Sequence, residues 1–214
     1  MRKRIALTLR LLLIATSLSL AGGQLANAAD QQPAGKQPAV ATSPCDTIHA
    51  EYSSVLKVGS LYWMYYSGIG SSCNWSLHYA TSPDGKRFDK QGQIVLLDGW
   101  SDQQAFPFVL YEGGRFRMWY GGGVPYRIGY AESSDGIHFT VQPRPVLELG
   151  SEPGWENSQL VRPSVLHQTN PQSALLQDLS LPLTTTNLYL MYYNGFGTGQ
   201  PPDPRRKRLR GQPL

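Results

Sequence analysis

From Arg115 to Gly122 the chain reads Arg-Phe-Arg-Met-Trp-Tyr-Gly-Gly. Phe116, Met118 and Tyr120 fall on one side of a period-two alternation, and Arg117 and Trp119 on the other. A pleated strand sends successive side chains to opposite faces, so this pattern predicts a strand. Arg127–Glu132 predicts another, and Asp135-Gly136 just after it supplies a turn in which Gly tolerates positive φ. A return strand begins at Phe139 and runs to Pro145-Val146-Leu147, while Phe108–Tyr111 opens the set. The unit is a four-stranded antiparallel meander.

The unit recurs, and the recurrence predicts the fold. Upstream, Ser54-Val55-Leu56, Tyr62–Gly68, His78–Phe88 and Ile94-Val95-Leu96 repeat it. Downstream, Pro163–Leu166 and Tyr189–Gly195 repeat its first half. The second strand reads aromatic-x-Met-aromatic-Tyr each time, Met64 and Met118 lie 54 residues apart, and Asp84 and Asp135 lie 51 apart. A period near 50 built from short strands predicts an all-β fold, a β-propeller of four-stranded antiparallel blades over residues 50–198. Met64, Met118 and Met191 should then occupy equivalent buried positions between blades, with strands throughout and no helix.

The third unit departs from the pattern. Thr169–Asn187 is a long insertion between its first two strands, and no Ala-x-Ser-x-Asp-Gly half follows Gly195. Two and a half to three blades cannot close a ring, since propellers use at least four. The chain reads as a truncated product, or as one whose ring is assembled from several copies. Truncation is the preferred reading, because an open third unit would leave Leu188–Asn194 an unpaired, aggregation-prone edge.

The ends change the meaning of the charge. Arg2, Lys3, Arg4 and Arg10, an apolar Leu11–Leu20 and the small-x-small Ala26-Asn27-Ala28 fit a secretory signal over residues 1–28, too short for a membrane span. Residues 29–49 read as a disordered leader and N-terminal segment, and 199–214 as a disordered basic tail. The expected product is secreted or periplasmic, cut near Ala28. Of 19 Lys and Arg, four lie in the signal and five in Arg205–Arg210, leaving 10 between Ala29 and Pro204 against 15 Asp and Glu. That balance of −5 argues against a nucleic-acid partner. In an exported chain Cys45 and Cys73 would close a disulfide across the first unit, two free thiols being the alternative.

Gly99-Trp100-Ser101-Asp102 and Gly154-Trp155-Glu156-Asn157 sit between the repeats. In a propeller such crossings, with the ends of the inner strands, line the mouth of the central channel. A ring covers the apolar face of a sugar and a carboxylate binds its hydroxyls, so Trp100 and Trp155 are candidate carbohydrate platforms. Blade-packing plugs are the alternative. His49, His78, His138 and His167 are scattered, and no phosphate loop, metal cluster or Ser-His-Asp set is evident, so no metal or cofactor is expected. The oligomeric state is left open.

Pro-Ser-Val-Leu, aromatic-x-Met-Tyr-Tyr-x-Gly, Ile-Gly-Tyr-Ala-x-Ser-x-Asp-Gly-x-x-Phe, Pro-Val-Leu and Gly-x-Trp-acid together resemble the five-bladed propeller glycoside hydrolases, the furanosidase-like group that includes families 32, 43 and 130. The resemblance spans residues 50–198. It implies paired carboxylates at the start of the inner strands, one protonating the leaving oxygen and one activating water. At those places this chain has Tyr52-Ser53, Phe106-Pro107 and Arg162-Pro163. The nearest acids, Glu51, Asp102 and Glu156, are displaced, and a shift of one residue re-aims a strand side chain. They remain the catalytic candidates, with Trp100, Trp155 and Arg162 as substrate-binding candidates. The reading is an exported glycoside hydrolase-like propeller, with a non-catalytic carbohydrate-binding propeller or a protein-interaction scaffold as alternatives. Asp84 and Asp135 should be turn formers.

Overall fold

The structure is a computed structural model that describes residues 8–11, 44–151 and 154–199. Two complete meanders dominate it. Strands β2 (His49–Val58), β3 (Leu61–Gly70), β4 (Cys73–Ser82) and β5 (Asp89–Ile94) form one antiparallel sheet in chain order. Strands β6 (Gln104–Glu112), β7 (Arg115–Gly122), β8 (Arg127–Ser133) and β9 (Thr140–Val141) form the next. β9 is short because Pro143 and Pro145 lack the N–H a ladder needs. Pairing resumes beyond them, where Ile128 exchanges backbone bonds with Leu147.

The third blade pairs β10 (Gln159–Thr169) with β11 (Asn187–Phe196). Two expectations need correction here. In the full chain the edge of β11 is not open: a short strand, β1 (Thr8–Leu11), lies antiparallel along it, Leu9 opposite Tyr192, and a cut near Ala28 would remove it. The insertion between β10 and β11 contains a helix, α1 (Ser173–Asp178), which buries Leu176. The other residues of the expected signal, the leader before Pro44, and the tail from Gln200 onward lie outside the described residues.

Alternation along each second strand makes the two inter-blade seams. Trp63 and Tyr65 face forward onto Phe116, Met118 and Tyr120; Trp119 faces forward onto Met191 and Tyr193. The three methionines are register-equivalent, each opposite a valine of its first strand: Val55–Met64, Val109–Met118 and Val165–Met191. Met118 and Met191 are buried, but Met64 is only half-buried, because its face of the first blade meets no sheet among the described residues. Cys45 and Cys73 are joined by a disulfide, Cα to Cα 5.2 Å. It ties the segment before β2 to the start of β4.

Candidate functional site

Each first strand carries the same defect at the same place. The β2–β3 register slips between Glu51 and Ser54, β6–β7 between Ala105 and Phe108, and β10–β11 between Val161 and Ser164. Two residues bulge from the ladder in each case, and the first has positive φ: Tyr52 at 56°, Phe106 at 58° and Arg162 at 55°. Bulky L-residues avoid that region at a cost of order 1–3 kcal/mol, and such outliers cluster where side chains are re-aimed for function. Pro107 and Pro163 fit the second bulge position, where no ladder N–H is required.

The bulges bring their side chains together, because β6 lies beside both β2 and β10. The Tyr52 and Phe106 rings meet edge-on at 4.8 Å, and the Arg162 guanidinium lies 4.5 Å over the Tyr52 ring. Arg162 Nη2 donates to Tyr52 Oη at 3.0 Å. Tyr126 packs against Phe106 at 5.2 Å and Trp75 against Tyr52 at 6.1 Å. Phe106 is pinned by its own N–H, which donates to Ser67 Oγ of the preceding blade at 2.7 Å. Gly121 leaves room for that ring, since a Cβ there would sit 2.8 Å from Phe106 Cδ2. The result is a part-exposed aromatic floor under one guanidinium. Burial, and then the Asp102 carboxylate and Tyr52, push the Tyr126 phenol up to about 12.

The acids divide into two kinds. Glu51 is exposed, 3.8 Å from His49 Nδ1, and Asp102 is exposed near Tyr126. Glu156 is buried and accepts the Tyr193 hydroxyl at 2.6 Å. That bond belongs to a series running through all three blades. Tyr120 donates to the buried Asp98 at 2.8 Å, and Tyr66 to the buried Asp46 at 2.7 Å. Asp98 also accepts the backbone N–H groups of Trp100 and Ser101. Burial raises the Asp46 carboxyl, but bonds from Lys90, which lies 2.8 Å away, and from Tyr66 outweigh it and hold the group below its ordinary value. The same three tyrosines end the repeated second-strand motif, so each blade fastens its second strand to the segment before its first strand with one hydroxyl–carboxylate latch.

Trp100 and Trp155 complete two of these latches. Trp100 stacks on Tyr120 at 6.1 Å and Trp155 on Tyr193 at 6.0 Å, with ring planes 20° and 18° apart. Gly122 admits the first indole: a Cβ there would sit 2.6 Å from Trp100 Cη2. One face of each indole is thus occupied by its own blade, while Tyr52, Phe106, Tyr126 and Trp75 are the rings gathered at the bulges. Asp84 and Asp135 are turn formers, each accepting two backbone N–H groups and a serine hydroxyl within its hairpin. Among the described residues no group of three or more His, Cys, Asp or Glu could hold a metal ion, and no helix is long and apolar enough to cross a membrane.

No protein-family model matches the chain. Two uncharacterized proteins of Mycobacterium tuberculosis, MT1551 of strain CDC 1551 / Oshkosh and Rv1502 of strain H37Rv, are 28% and 29% identical to it over 137 residues. The match covers 56% of this chain, which spans 45% of the length of each relative. Among solved structures, a BT0996 RGII complex aligns with a TM-score of 0.54 at 19% identity, over 75% of this chain and 52% of that one. Another, a glycoside hydrolase, gives the same four values: 0.54, 19%, 75% and 52%. At such identity the likeness is one of fold. Together with the repeated meanders and their first-strand bulges, that likeness shows a partial all-β propeller fold.

Proposed function

We propose that these blades form part of a carbohydrate-binding face, and that the described residues bind a glycan without hydrolysing it. The observation that carries the reading is the content of the three left-handed inner-strand positions, Tyr52, Phe106 and Arg162. Rings at two of them suit the C–H face of a sugar, and a guanidinium at the third supplies directed donors. Inverting and retaining hydrolysis both need two carboxyl groups flanking the glycosidic bond, and Glu156 is committed to Tyr193 inside its latch. An exported location belongs to the same proposal, resting on the basic, apolar and small-residue order of residues 1–28.

Hydrolysis by Glu51 and Asp102 is the second reading, favoured by the exposure of both and by the action of Asp102 on Tyr126. One set of assays separates the two. The chain is screened for retention by immobilised neutral and acidic glycans and for turnover of aryl glycosides, beside Phe106→Ala and a Glu51→Gln, Asp102→Asn double variant. Retention that is lost in Phe106→Ala, without turnover, is the expected result. Turnover abolished in the double variant would replace it with the second reading.

A further inference from the structure

We infer that the ligand of the inner-strand site carries a carboxylate group, as a uronic-acid sugar does, and that Arg162 is the residue that selects it; this rests on the carbohydrate-binding reading above. Arg162 is exposed, and its one hydrogen bond among the described residues is to the Tyr52 hydroxyl, at 3.0 Å. Among those residues no carboxylate forms an ion pair with it, a state it shares with Arg87, Arg115 and Arg144, none of which lies on a ring. A guanidinium presents five N–H donors in a planar fork. The remaining donors of Arg162 are therefore uncommitted, although the left-handed backbone at 55° and the Tyr52 ring fix where the fork sits.

A chain that bound only hydroxyls would gain little from holding a whole, unneutralised cation in a strained position. Two parallel N–H···O bonds to a carboxylate match the fork in shape and charge. The Tyr52 ring supports this pose. The guanidinium carbon lies 4.5 Å from the Tyr52 ring centroid and one N–H is held by the Tyr52 hydroxyl, which leaves the other donors for a ligand. Phe106 beside it offers an apolar surface for the body of the same sugar unit. Asp102, whose charge acts on Tyr126 beside Phe106, makes the cluster mixed in sign, which disfavours a uniform polyanion and suits a sugar with one acidic group and several hydroxyls.

The test is calorimetric titration of the full 214-residue chain. The probes are oligomers of galacturonate, glucuronate and mannuronate, each compared with its carboxyl-reduced neutral counterpart. At least one uronate should bind ten-fold or more tighter than its neutral partner, with the preference shrinking as salt rises. Arg162→Gln should abolish the preference, weakening uronate binding ten-fold or more beyond whatever it costs the neutral partner, and Arg162→Lys should keep only part of it. Should Arg162→Gln unfold the site, Tyr52→Phe, which removes only the hydroxyl that fixes the fork, should weaken uronate binding several-fold. Equal binding of both members of every pair, or a preference that survives Arg162→Gln, overturns the inference and leaves the carbohydrate reading standing. No binding of any glycan overturns both.

Discussion

The two seams between blades use the same strand positions for different chemistry. In the first seam, Trp63 faces the Phe116 ring at 5.2 Å, and the surroundings are apolar. At the matching positions of the second seam stand Arg117 and Tyr189, with the guanidinium 6.0 Å over the ring. Around them lies a polar network. Arg117 donates to Tyr130 and to Glu132 Oε1 at 3.0 Å, and Tyr130 donates to the same oxygen. Glu112 accepts from Tyr189 at 3.0 Å and meets His167 Nδ1 at 2.7 Å, while His167 stacks on Tyr189 at 4.2 Å. Nearer the bulges, the seams converge again on methionine, aromatic and latch tyrosine. The inner half of a seam is thus held to one solution by the latch and the bulge, whereas the outer half accepts either an apolar set or a charged set in which the ions neutralise one another.

The largest effects should come from the shared inner half. Met118→Ala removes a side chain with no solvent exposure from the first seam and should cost about 2–5 kcal/mol in urea unfolding. Met191→Ala should behave alike in the second seam. Met64, in the same register but half-buried on an uncovered face, should cost about 1 kcal/mol. A Met64→Ala penalty equal to that of Met118→Ala would break the equation of seam with burial.

Smaller and opposite responses should mark the outer halves. Arg117→Met leaves Glu112 and Glu132 facing a part-buried seam without their cation, and should cost about 1–3 kcal/mol. Adding Glu112→Gln and Glu132→Gln should recover most of that loss, because the whole ionic set is then gone. The triple variant should also lose the salt sensitivity of the native seam. Failure of the two glutamines to restore any stability would mean that Arg117 acts by packing alone.

How much of this was legible in the sequence follows from where each signal is stored. The blades and the latch tyrosines were legible, because aromatic-x-Met-aromatic-Tyr is a local period-two pattern that the strand itself imposes. The latch acids were not. Asp98 precedes Trp100 by two residues and Glu156 follows Trp155 by one, so two different spacings lead to one spatial position. The cluster at the bulges was half legible. Tyr52, Phe106 and Arg162 could be aligned as occupants of the inner-strand starts, yet nothing in a Tyr, a Phe or an Arg announces a left-handed backbone; that is imposed by a bulge pinned from the next strand. Trp100 and Trp155 were visible as residues, but their stacking on Tyr120 and Tyr193 depends on glycines that open space for them from the second strands.

The smallest predicted effect concerns the rim of the first seam, where its apolar character ends. There Tyr65 reaches across from the first blade and donates to Gly136 O at 2.9 Å, in the hairpin that Asp135 shapes. Burial raises the Asp135 carboxyl, but the His138 ring, the backbone N–H groups of His138 and Ile137 and the Ser133 hydroxyl together hold it well below the ordinary carboxylate range. A carboxyl whose folded value is depressed adds stability above its unfolded value, near pH 4, and loses it as pH falls through the folded value. Nearly half of this side chain, 48%, is exposed, so screening limits the contribution to about 0.5–1 kcal/mol. Asp135→Asn should therefore be less stable than the native chain at pH 7, and the difference should close steadily as unfolding is measured at pH 5, 4, 3 and 2. Asp84→Asn, in the equivalent hairpin with Arg87 where His138 would stand, should show a weaker pH dependence. A deficit in Asp135→Asn that stays constant from pH 7 to pH 2 would assign the hairpin's contribution to turn geometry, and would leave the rim of the first seam as free of electrostatics as its core.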